Sequence, residues 1–161
     1  MGVQELSASL WRERELLELL IFKLEEEHLL LTSGKSRWIQ HATREVEQVM
    51  ERLKAAGLAR AIEVSGVAAE WGTREGATLL ELIADAPQGP WAEIFTDHLT
   101  AMTDQAAQIK QLRDANEQFL RAAIRTSDEL LAETETRGST YDASGGRAAF
   151  AADARLFDTN A

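Results

Sequence analysis

Residues 91–135 read "WAEIFTDHLTAMTDQAAQIKQLRDANEQFLRAAIRTSDELLAETE" and contain neither glycine nor proline. Phe95, Leu99, Met102, Ala106 and Ile109 recur at alternating steps of four and three. Leu112, Asn116, Phe119, Ala123, Ser127 and Leu130 continue the row with a small phase shift. That spacing predicts a single helix with one apolar stripe. At about 1.5 Å per residue it would be on the order of 70 Å long. Such a stripe cannot be buried on its own helix. It must lie against other helices of the chain, a second copy, or another protein.

Reading outward, Pro90 sits well as the first residue of this helix. Pro87 closes a short capped helix over Leu79, Leu80, Leu82 and Ile83 in "TREGATLLELIADAP", residues 73–87. These are the only two prolines, so the flanking stretches are free to stay helical. Residues 5–32 read as one helix with Leu10, Leu17, Leu24 and Leu31 seven apart, and with Ile21 and His28 on the other seam position. The runs "RERE" and "EEE" then form a solvated face. Thr32-Ser33-Gly34 is a stop, and Ser36 can cap the next helix. Ile39, Ala42, Val46, Val49, Leu53 and Ala56 give a second seam helix, expected to end at Gly57. Its loop to the first is short, so the two should be antiparallel. "LARAIEVSGVAAEWG", residues 58–72, reads either as a short helix or as an extension of the second.

The expected fold is all-α, an elongated antiparallel helical bundle or coiled coil of three long helices with short connecting helices. Residues 1–137 form the bundle. Residues 138–161 form a flexible C-terminal tail, in which Gly145-Gly146 is a hinge and Phe150, Ala154, Leu156 and Phe157 make a small amphipathic segment. No period of 20–50 residues marks a solenoid.

Among 161 residues, 45% are hydrophobic and only 6% aromatic, which suits helical packing. The net charge of −10 argues against nucleic acid or an anionic membrane as partner. The absence of cysteine excludes disulfides and thiolate metal sites. Neither a cleavable signal nor an apolar span stands out, so a cytoplasmic location is expected.

The search for reaction chemistry turns up little. Glu25 and His28 give one E-x-x-H, whereas di-iron bundles need two such motifs and two more inward glutamates. His41 and His98 do not repeat it, so no metal, cofactor or enzymatic activity is expected. His28 should then sit on a seam with the glutamates facing water. Nucleophile, Walker and dinucleotide motifs are missing. Trp11, Trp38 and Trp91 lie near helix starts and should cap the core at its ends, while an exposed Trp71 would mark a partner site. Asn116, polar on a seam, either fixes register or partner choice or is a tolerated boundary residue.

"LRDANEQFLRAAIRTSDELLAE" (112–133) followed closely by "TYDASG" (140–145) resembles the C-terminal half of the FlgN-type flagellar export chaperones. In that resemblance Asn116 matches an asparagine, Phe119 and Leu120 an apolar pair, Ile124 and Leu130 later aliphatics, and Tyr141 and Gly145 a tyrosine-glycine turn. Residues 16–53 are similar to the family's leucine-rich opening hairpin. Arg113, Glu117 and Asp142 depart from the pattern. The resemblance implies a cytoplasmic chaperone that holds hook-associated flagellar proteins by their amphipathic terminal helices, prevents early assembly, and delivers them to the export gate. It implies cargo binding by Asn116, Phe119, Leu120, Ile124 and Leu130, joined by Ala123 of the same helical row, with Tyr141 as the gate contact. Phe150, Leu156 and Phe157 of the tail would either bind cargo as well or cover the empty groove. The unbound form could be a homodimer. The competing reading is a structural coiled-coil adaptor that self-associates through Leu10, Leu17, Leu24 and Leu31.

Overall fold

The computed structural model describes the backbone of residues 2–144 and the side chains of residues 2–138. It contains α1 (Gly2–Thr32), α2 (Ser36–Trp71), α3 (Leu79–Ala84) and α4 (Trp91–Ser144). The fold is all-α, with no strand among the described residues. The chain divides into two units, residues 1–119 and 120–161. Helix α4 carries residues 138–144, which the sequence reading gave to the tail. Gly145, Gly146, Phe150, Ala154, Leu156 and Phe157 lie outside the described residues.

Helix ends follow local chemistry. Gly34 takes φ 69° after α1, and Gly72 takes φ 71° after α2, the left-handed region where a side chain is penalised. Thr73 N–H closes the α2 end on the Ala68 carbonyl at 2.9 Å. Thr78 caps α3 in a reciprocal box with Glu81. Pro90 precedes α4, and its carbonyl accepts from Ile94 N–H at 3.1 Å.

Helix α2 does not end at Gly57. A helix-interior glycine costs about 1 kcal/mol, which the burial of Val64, Val67 and Ala68 beyond it readily offsets. The sequence alternative of an extended second helix is therefore the one realised.

In the first unit α1 and α2 run antiparallel. Thr43 donates to Glu27 at 2.7 Å and Lys23 meets Glu45 at 2.7 Å near their shared turn. Leu6 and Leu10 share a core with Val64 and Val67 at the far end. Helix α4 runs parallel to α1, because His98 meets Arg14 while Asn116 meets Leu24. Two apolar cores result. One gathers Leu6, Leu10, Val67, Leu82, Phe95 and Met102; the other gathers Leu20, Leu24, Val46, Val49 and Ile109.

The seams differ from those expected. In α1 the inward row is Leu6, Leu10, Glu13, Leu17, Leu20, Leu24, Glu27 and Leu31, all buried or half-buried. The second seam position therefore falls on Leu20 and Glu27 rather than Ile21 and His28, and Glu27 is buried rather than facing water. In α4 the inward row is Phe95, His98, Met102, Gln105, Ile109, Leu112 and Asn116. It has no phase shift. The seam passes through polar His98 and Gln105 instead of Leu99 and Ala106.

Leu10 and Leu24 are fully enclosed, which removes the leucine row as a surface for self-association. Trp91 and Trp71 pack around Phe95, with ring centroids 5.7 and 6.2 Å from it. Trp71 is thus a core contact. Trp11 and Trp38 are exposed and do not close the core. Each instead lies under a guanidinium, Arg14 at 4.4 Å and Arg37 at 4.7 Å.

Candidate functional site

Asn116 is the last inward residue of α4 in the first unit, with 2% of its surface exposed. Its Nδ2 donates to the Leu24 carbonyl at 3.0 Å and to Glu27 Oε2 at 3.1 Å. Both contacts need a donor, so the amide nitrogen must face them and Oδ1 must face His28. His28 Nδ1 lies 2.9 Å from Oδ1, and therefore carries the proton. Glu27 completes the knot by accepting from Thr43 Oγ1 at 2.7 Å. One amide thus joins α4 to α1, and through Glu27 to α2.

Asn116, expected among the cargo-binding residues, has its polar atoms spent inside the bundle. Phe119, one turn later, is partly exposed and lays its ring edge-on to His28 at 5.4 Å.

In the second unit, residues 121–138 are all exposed. Leu120, Ile124, Ser127 and Leu131 follow steps of four, three and four on one side of the helix, with Ala123 and Leu130 alongside. Ile124, Leu130 and Leu131 keep 59%, 59% and 63% of their surface exposed. Ser127 donates to the Ala123 carbonyl at 3.0 Å and Thr126 to the Ala122 carbonyl at 3.0 Å. These hydroxyls are satisfied within the helix, so the row offers mainly apolar contact.

Leu131 was not among the expected site residues. Its signal was the eleven-residue spacing from Leu120 on the same helix face. Tyr141 belongs to α4, and its side chain lies outside the described residues, as do Phe150, Leu156 and Phe157.

The remaining inward polar groups knit the first unit together. Glu13 faces Arg60 at 3.4 Å. Burial pushes its carboxyl above the usual carboxylate range, and Arg60 offsets part of the rise. Burial and then the neighbouring Arg14 guanidinium hold the His98 imidazole below its ordinary value. Glu25 of the E-x-x-H is exposed while His28 is committed to Asn116. Among the described residues no group of three or more histidines or acids is placed to hold a metal ion. None of their helices is long and apolar enough to cross a membrane.

A family model described as FlgN protein matches residues 1–149. No curated protein and no solved structure matches the chain.

Proposed function

We propose, for a chain that belongs to the FlgN family of flagellar export chaperones, that α4 beyond residue 119 captures the amphipathic terminal helices of hook-associated proteins. The observation that carries this reading is the row of half-buried Leu120 and exposed Ile124 and Leu131, with exposed Leu130 beside it. A helix with an uncovered apolar side is stable in water at a cost, and a second amphipathic helix laid along it removes that surface from solvent.

Cargo segments that are disordered alone give up ordering entropy on binding, which keeps affinity moderate and release feasible without a nucleotide. Holding the cargo helix in this way would also mask the surface through which junction proteins polymerise. Delivery to the export gate is assigned to the C-terminal segment with Tyr141, and the working compartment is the cytoplasm. Asn116 acts in this scheme by fixing α4 on α1 within the first unit.

The test is capture of purified hook-associated proteins by the full chain and by an Ile124→Glu, Leu131→Glu variant. Both positions are exposed, so the variant should keep its melting temperature while losing at least tenfold in affinity. Undiminished capture would move the cargo site off this helix. Export in cells of a Tyr141→Ala variant, with cargo affinity measured alongside, separates gate delivery from holding.

A further inference from the structure

The outward side of α2 over residues 55–69, beyond the exposed Glu51, breaks the rule for a surface helix. The side of a packed helix that faces water normally carries charge. Here Ala55, Leu58, Ile62, Ser65 and Ala69 follow steps of three, four, three and four, directly opposite the inward Val64 and Val67. None is charged, and all are exposed; Leu58 keeps 65% of its surface and Ile62 keeps 72%. The spacing is a coiled-coil seam on the back of a helix whose front is already packed.

Two neighbours extend the surface. Leu80 of α3, also 65% exposed, lies beside Ala61 and Ser65 on a cavity of about 430 Å³. Gly66 sits within α2 where an added Cβ would meet nothing, so the fold of the single chain does not require glycine there.

We infer that this side of α2 pairs antiparallel with the same side of a second copy of this chain, about a two-fold axis level with residue 60. In that register Leu58 of one copy meets Ile62 of the other, twice, and Ala55 meets Ser65, twice. The large residues fill the centre and the small ones the ends. Two copies each of net charge −10 repel, so self-pairing needs an uncharged centre and opposite charges across the rim. The row supplies the first. Arg52 and Glu70 supply the second: both lie on the same edge of α2, and the two-fold brings each Arg52 within about half a turn of the second copy's Glu70. The symmetry makes the face complementary to itself, as an isologous contact requires. This pairing uses the first unit alone and is independent of the cargo reading.

The test is light scattering of the full chain over a concentration series. The expected mass rises to twice the 17.8 kDa of one chain. Ile62→Glu, at an exposed position, should hold the mass at one chain with an unchanged circular dichroism melt. Arg52→Glu should weaken the dimer, and adding Glu70→Arg should restore it. A wild-type chain that stays single at every concentration overturns the proposal, including when a different protein proves to bind through Ile62. So does a dimer that Ile62→Glu leaves intact, or a charge swap that fails to rescue.

Discussion

Asn116 donates two hydrogen bonds and accepts one, and in doing so ties a main-chain carbonyl, a buried carboxylate and an imidazole to one helix. Replacing it by alanine leaves Glu27 buried without that donor. Asn116→Ala should lower the unfolding free energy by about 2 kcal/mol, read from urea denaturation. A loss within error would mean that water replaces the amide. His98 gives a pH signature. Its folded-state value lies below the ordinary 6.5, so below that pH the unfolded chain binds a proton that the folded chain refuses. The His98 contribution is fully present above about pH 6.5 and is lost as the pH falls beneath it. Unfolding free energies of wild type and His98→Gln should therefore converge on acidification from neutral pH to about 5. Parallel curves would contradict the assignment.

The helices show the same physics over longer stretches. Gly57 lies inside α2, and a Cβ there would meet nothing within 4 Å. Gly57→Ala should stabilise the protein by about 0.5–1 kcal/mol, seen as a higher melting temperature. A decrease would reveal a bend at Gly57 that the alanine opposes. Helix α3 depends on its cap. The Glu81 carboxylate accepts from Thr78 N–H at 2.7 Å, then from the Arg74 guanidinium at 2.8 Å and the Thr78 hydroxyl at 3.0 Å. Together these hold it at about 2, below its ordinary 4.5. A depressed carboxylate stabilises above its unfolded value and loses that contribution as the pH falls from about 4.5 toward 2. The gap in melting temperature between wild type and Glu81→Gln should close across that window. A gap that persists at pH 2 would assign the effect to packing.

At the scale of the whole molecule, both apolar cores and the Asn116 knot lie within residues 1–119. A chain ending after residue 119 should therefore unfold cooperatively, with a melting temperature within a few degrees of the full chain, while cargo capture is lost. Calorimetry and a pull-down on the same preparation check both halves. Broad, non-cooperative melting would show that the second unit supports the first, and retained capture would place the cargo site in the bundle. The first unit buries the inward rows of its helices on itself, whereas residues 121–138 are left to solvent.

The three long helices, the antiparallel hairpin of α1 and α2, and a short capped helix over Leu79, Leu80, Leu82 and Ile83 were all legible in the sequence, because periodicity and caps are local properties. The row through Phe119, Ala123, Ser127 and Leu130 was read from helical spacing, whereas Leu120 and Ile124 were picked out only by the family resemblance. The choice of seam was not legible. Glu13 and Glu27 lie on the true inward row of α1, and His98 and Gln105 on that of α4. Reading apolar residues alone shifted the α1 row to Ile21 and His28 and put a false phase shift into α4. Whether a charged or amide side chain can be buried depends on a partner elsewhere in the chain, such as Arg60 for Glu13 or Asn116 for Glu27. Sequence spacing fixes which residues share a side of a helix. Only tertiary contact supplies the partners that decide which side turns inward.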